Sequence, residues 1–134
     1  MTAYDELYAY TMGRPGFILQ HVVDAHGAQS ATSGVDSIRL VFSLAGLYLH
    51  LEKGFNGTQV QNAHRVMGRT KRVWPTIALP ENRGAMTPAH VLERAPGRDR
   101  DDAVDDWCRS VWDAFASSRP AILALLQEYR LAPL

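Results

Sequence analysis

VDSIRLVFSLAGLYLHLEKG, residues 35–54, is the stretch on which the fold turns. Successive residues of an α-helix rotate by about 100°. On that period Arg39, Ser43, Gly46, His50 and Lys53 share one narrow stripe, and almost everything else is apolar. A helix that is hydrophobic nearly all round belongs inside a bundle. This helix, from about Val35 to Lys53, is therefore expected at the centre, closed by Gly54 in the position favoured after a helix end.

The flanking sequence keeps the same period. Before the central helix, Thr2 caps a short first helix, with Asp5 three residues on, and Gly13 ends it. Pro15 opens a second helix to about Ala31, and Thr32, Ser33 and Gly34 make the turn. After it, Asn56-Gly57-Thr58 starts a fourth helix to about Arg69, with Val60, Ala63, His64 and Met67 inward. Residues 70–86, with Pro75, Pro80 and Gly84, read as a long irregular loop, and such loops are often functional. Thr87-Pro88 opens a short fifth helix. A sixth runs from about Arg98 to Ser117 on a stripe of Val104, Trp107, Cys108, Val111, Trp112 and Phe115. A last helix follows Ser118 and Pro120. The fold class is all-α: a helical bundle of six to seven helices in a single domain, residues 1–134.

Composition narrows the function. The 134 residues carry a formal net charge of zero, which argues against nucleic-acid binding by bulk positive charge. Hydrophobic residues make up 46% and charged residues 21%, an ordinary globular balance. No apolar run has the length of a membrane span, and MTAYDELYAY lacks the basic start of a secretory leader. One cysteine, Cys108, leaves no internal disulfide and reads as a buried thiol. A cytoplasmic protein without membrane or nucleic-acid partners is expected. The basic run Arg65, Arg69, Lys71 and Arg72 reads as a solvated helix end. The acidic cluster from Asp99 to Asp106 sits at a helix start, where negative charge is favoured.

The chemistry lies in polar groups that the helical period sends inward. Glu52 shares an apolar arc with Val41, Ala45 and Tyr48, in a last helical turn whose dipole disfavours an anion. Such a carboxylate needs an arginine, a histidine, a metal ion or a proton. His64 stands on an inward stripe, as a hydrogen-bonded core histidine or as a residue facing Glu52. In the second helix, Ile18, Leu19, Val22 and Val23 define the apolar face, with His26 among them. His21, Asp24 and Gln29 lie opposite, interleaved with Ala25 and Ala28. His21 and Asp24, three apart, share a surface, as a contact pair or as a pair that fixes one imidazole tautomer. His50 lies on the polar stripe, partly solvated or facing a groove. Trp74 either lines a pocket or anchors the loop.

Inward carboxylates and imidazoles on consecutive helices are how bundles build metal sites. His21, Asp24, Glu52 and His64 are the candidate ligands of a divalent metal ion. Asp24, Glu52 and His64 are the candidates for acid/base chemistry, and His26, Gln29, His50 and Trp74 line the expected pocket. The function expected is a small metal-binding or acid/base enzyme acting on a small molecule between the second, third and fourth helices. The alternative is a non-enzymatic ligand-binding or protein-interaction module, a homodimer through the small-residue face of the second helix.

Several stretches resemble a bacterial family of unknown function, DUF5946. HVVDAHGAQ, residues 21–29, is similar to its Val-Asp-Ala-x-x-x-Gln pattern, and LYLHLEKG, residues 47–54, to its hydrophobic helix ending in Glu-Arg/Lys-Gly. Met86-Thr87-Pro88 to Val91 and VDDWCRSVWDAF, residues 104–115, resemble its later Thr-x-x-x-Val and Trp-x-x-Ser-Val-Trp elements. The likeness spans residues 15–117 and implies Asp24, Gln29 and Glu52 as shared positions. It lends no activity. Longer relatives carry an N-terminal Cys-x-x-Cys segment that this chain lacks, so no zinc ribbon is implied. His26 stands where relatives often have an aromatic residue.

Overall fold

A computed structural model describes residues 1–32, 37–70 and 72–131. Helix α1 (Ala3–Thr11) carries the Thr2–Asp5 capping box. A 3-10 turn, Pro15–Phe17, leads into α2 (Leu19–Gln29). Then come α3 (Ser37–Lys53) and α4 (Gly57–Gly68), the latter capped by Asn56 with Gln59 answering. Helix α5 (Pro88–Leu92) follows the irregular loop, and α6 (Arg98–Ala114) and α7 (Arg119–Glu128) close the chain. There is no strand among the described residues. The all-α bundle is as expected. The turn read at Ser33-Gly34 and the first residues of the long helix lie outside the described residues.

Two boundaries are corrected. The helix expected from Pro15 is broken at once, because Gly16 and Phe17 both take left-handed backbone, φ +77° and +52°. Pro15 starts a separate turn, and α2 begins only at Leu19. The sixth helix stops at Ala114, and Ala116–Ser118 make a second 3-10 turn.

The central place expected for α3 is observed. It packs on α2, α4, α6 and α7, and Leu44, Ala45, Leu47 and Leu49 are fully buried. Helix α6 supplies the other wall with Val104, Trp107, Cys108, Val111 and Trp112. The long loop is held in place without secondary structure. Gln29 donates from Nε2 to the Met86 carbonyl at 2.7 Å and to the Arg83 carbonyl at 3.3 Å, and its Oε1 accepts from Trp107 Nε1 at 3.1 Å. Arg83 answers with bonds to the Gln29 and Ala31 carbonyls.

The buried face of α2 is wider than its apolar residues alone, and shifted from them: Val22 is fully buried as read. Leu19, Val23 and His26 are only half-buried, whereas His21, Asp24, Ala25 and Ala28 are buried. The small-residue face is thus consumed inside the protomer, against α3 and α6, so it offers no surface for the dimer proposed through it. The polar stripe of α3 is the matching surface. A side chain on Gly27 of α2 would meet Ser43 Oγ at 2.4 Å, and one on Gly46 of α3 would meet Asp24 Oδ2 at 2.0 Å. One turn on, the His21 and His50 rings stack, centroids 3.4 Å apart. The pairs 27/43, 24/46 and 21/50 run antiparallel, each glycine making the notch for the polar side chain opposite.

Candidate functional site

Three helices bring ionisable groups together in two tiers. The outer tier is His21 from α2, His50 from α3 and Asp105 from α6. One turn inward on each helix stand Asp24, Gly46 and Cys108. The outer tier opens on a surface depression of about 290 Å³ lined by His50, Leu51, Asp105, Asp106 and Arg109.

His50 is the best-determined group. Its Nδ1 lies 2.8 Å from the Phe55 carbonyl and its Nε2 2.6 Å from Asp105 Oδ1. A carbonyl and an ionised carboxylate only accept, so the form of the ring that satisfies both is the imidazolium, which donates from both nitrogens. Burial opposes that charge most strongly, but the Asp105 carboxylate and the Phe55 carbonyl together outweigh it and raise the His50 pKa. Behind it His21 is held neutral. Burial, the neighbouring His50 charge adding to it, depresses its pKa to about 3. His21 Nδ1 is buried without a hydrogen-bond partner.

Asp24 is buried to the same degree as His21, each of the two being 2% exposed. Gln20 donates to its Oδ1 at 3.1 Å, while Oδ2 sits in the Gly46 notch without a partner. Burial pushes its pKa well above the usual carboxylate range, and the single Gln20 bond does not offset it. Cys108 is buried beside it, its thiol donating to the His21 carbonyl at 3.6 Å, with burial raising its pKa. Buried polar atoms without partners are rare and call for an explanation. Perturbed titrating groups beside a cleft are candidates for function.

The other expected site residues lie elsewhere. Glu52 is the anion of a structural clasp: Arg119 donates from Nε at 3.0 and 3.1 Å and from Nη2 at 2.5 Å, and Trp112 Nε1 donates at 2.8 Å. The Arg119 bonds lower its pKa first, with Trp112 adding and desolvation opposing. Of the partners its position demanded, the one present is arginine. His64 donates from Nε2 to the Phe42 carbonyl at 2.7 Å within an aromatic group that includes Phe42 and Trp74. Burial, only partly offset by that bond, lowers its pKa, as befits a neutral core histidine. His26 stacks on Tyr4, centroids 3.6 Å apart. Gln29 is the tie between α2, the loop and α6. Trp74 lines a different groove, with Arg72 and Pro75 on one side and α7 on the other. The expected meeting of Asp24, Glu52 and His64 does not occur, because the latter two are satisfied on other faces of α3 and α4. Among the described residues no three histidine, cysteine, aspartate or glutamate side chains are grouped to hold a metal ion.

Asp105 and Arg109 are the site residues the sequence reading missed. A signal was present. On the helical period Asp105 falls about 20° from Trp112, at the edge of the inward stripe, with Arg109 one turn on. Asp105 also belongs to the acidic helix start, whose other members pair separately: Asp101 with Arg14 at 2.6 Å, Asp106 with Arg94 at 3.9 Å. A larger depression of about 520 Å³, lined by Ser37, Ile38, Arg39 and Phe42, is mostly apolar, and its described lining residues include neither a carboxylate nor an imidazole.

No described helix is long and apolar enough to cross a membrane. No curated protein and no solved structure matches this chain. Two of the three positions that the resemblance singled out, Gln29 and Glu52, each accept a hydrogen bond from a tryptophan of α6, which leaves Asp24 as the one without a structural partner for both its oxygens. The model of the DUF5946 family, a family of unknown function, matches residues 1–116, and the chain belongs to that family.

Proposed function

We propose that the protein is a small acid/base enzyme of the cytoplasm, acting on a small molecule in the depression between α3 and α6. His50 exchanges the proton, Arg109 and Asp106 meet the polar groups of the substrate, and His21 and Asp24 set the electrostatics behind them. The observation that carries this reading is the pair of buried atoms without partners, His21 Nδ1 and Asp24 Oδ2, on the inner side of a histidine that lines a pocket. Groups that cost stability persist where function needs them. The acid/base version is favoured over the metal version because the described residues group no three donor side chains.

The apolar depression at Ile38 and Phe42, with Ile38 52% exposed, favours the second reading, a non-enzymatic ligand-binding or interaction module. A screen of small organic acids, amines and amides by amide NMR separates the two. Binding at the site moves the resonances of Leu51, Asp105 and Arg109, and Arg109→Gln weakens it. Shifts confined to Ile38, Arg39 and Phe42 would support the module, and the absence of any bound compound would sink the enzyme reading.

A further inference from the structure

A base needs a free nitrogen, and both nitrogens of His50 are occupied by acceptors. The two acceptors differ in freedom. The Phe55 carbonyl is fixed in the turn that ends α3, where Phe55 N–H donates to the Leu49 carbonyl at 3.0 Å and Gly54 N–H to the His50 carbonyl at 3.1 Å. The Asp105 side chain is 55% exposed.

Resting on the acid/base reading, we propose that the His50–Asp105 ion pair is a proton-controlled latch over the pocket, which opens when the imidazolium gives its Nε2 proton to solvent. The neutral ring has one N–H left. It keeps the bond to the fixed Phe55 carbonyl, so its orientation does not change. The Nε2 lone pair then faces a carboxylate oxygen, and two acceptors repel. Asp105 turns into water, which is the cheaper movement for a half-exposed side chain. What remains is an unprotonated Nε2 aimed into the depression beside Arg109. Loss of the proton thus makes the base and uncovers it in one event.

The charges that face His50 are few. From α2 there is His21, which stays neutral; from α6 there are Asp105, which favours the closed form, Arg109, which favours the open one, and Asp106, which lines the same depression. Because pairing favours the charged ring, the latch stabilises the fold fully below the ordinary histidine value, and that contribution is lost as pH rises through the raised value of His50.

The test is an NMR titration of the ligand-free chain from pH 5 to 9, reading histidine ring nitrogens and aspartate carboxyl carbons. His50 should titrate above the ordinary value of about 6.5, Asp105 carboxyl and Arg109 side-chain signals should move with the same midpoint, and His21 should stay neutral. Asp105→Asn should weaken proton binding at His50 by roughly tenfold, about one pH unit. His50→Gln should abolish the coupled movement at Asp105. An Asp105 signal that does not follow the His50 midpoint would overturn the latch, as would a midpoint unchanged in Asp105→Asn. Ligand-free titration is independent of the compound screen: an intact latch with no bound compound removes the enzyme, and a bound compound with an uncoupled Asp105 removes only the latch.

Discussion

Two carboxylates on neighbouring helices answer pH in opposite senses, because one is deeply buried with a single amide donor and the other is held by an arginine and an indole. Asp24 has its pKa raised by burial. Its native state holds the proton more tightly than the unfolded chain does, so the stability that goes with it is full below the ordinary carboxylate value of about 4. It is lost as pH rises through the native value. Asparagine keeps the shape and cannot ionise. Asp24→Asn should therefore be more stable than the parent near pH 8, by an amount that narrows towards pH 4, in urea unfolding at several pH values. A parent more stable than the variant at pH 8 would show that the buried acid has a partner after all. Glu52 has its pKa lowered, chiefly by the Arg119 hydrogen bonds. Its stabilisation is present above the ordinary value and lost as pH falls through the native one. Glu52→Gln should lower the urea midpoint at pH 7 and cost less at pH 3. With Arg119 44% exposed, water screens the pair and the effect should be modest. The same variant should leave any small-molecule binding at His50 intact, since its carboxylate is committed to the clasp.

At the scale of elements, the contact of α2 with α3 depends on two glycines that ordinary helix propensity would replace. Alanine is better than glycine inside a helix by about 0.5–1 kcal/mol. At Gly46 the sign should reverse. The added carbon would stand 2.0 Å from Asp24 Oδ2, 2.7 Å from its Cγ and 3.1 Å from a Val60 methyl. Forcing atoms into a packed interior costs about 1–3 kcal/mol, more than the propensity gain. Gly46→Ala should be destabilising, and a double-mutant cycle with Asp24→Ala should recover part of the loss as a coupling energy. Gly27 is the milder partner, because the atom it would meet is one hydroxyl, Ser43 Oγ. Ser43→Ala removes that atom and leaves Ser43 Cβ at an ordinary 3.5 Å, so Gly27→Ala should be tolerated in its presence. Thermal melts of the four single and two double variants decide it. Equal effects with and without the facing substitution would break the register 27/43, 24/46. This contact also explains what the periodicity hid. Ser43, Gly46 and His50 read correctly as one stripe, but a polar stripe facing water and a polar stripe buried against small residues look the same in a single helix. Only the partner tells them apart, and here the partner is the small-residue face of α2.

Across the whole molecule, the element order, the all-α class and the central place of α3 were legible because they follow from period and breakers within each segment. The site was legible only in part. Asp24, His21 and His50 stood out as polar groups among apolar or small neighbours, and the two histidines do meet, with Asp24 one turn away against Gly46. Glu52 and His64 carried the same local signal for a different reason, since each is matched by a partner far along the chain: Arg119 and Trp112 for one, the Phe42 carbonyl for the other. Nothing local distinguishes a buried group with a distant partner from one without. The distant partners themselves form a pattern. The two tryptophans of α6 donate to α2 and α3 in turn, Trp107 to Gln29 and Trp112 to Glu52, so that one helix holds two others at fixed height. The Gln29 tie has the wider reach because its amide also fixes the Arg83 and Met86 carbonyls at the end of the long loop. Gln29→Leu fills similar space but abandons an indole N–H and two carbonyls. Leaving a buried hydrogen-bonding group unsatisfied costs about 1–3 kcal/mol, and here the loss falls on a segment with only Ile77 buried between residues 72 and 86. The variant should stay helical yet lose the loop first. Limited proteolysis should cut it between residues 72 and 86 at protease levels the parent resists, and amide exchange should quicken there before it does in α3. Cleavage that begins instead within α1 or α7, or exchange that quickens uniformly, would mean that the loop is held by its own contacts and that the glutamine serves α2 and α6 alone.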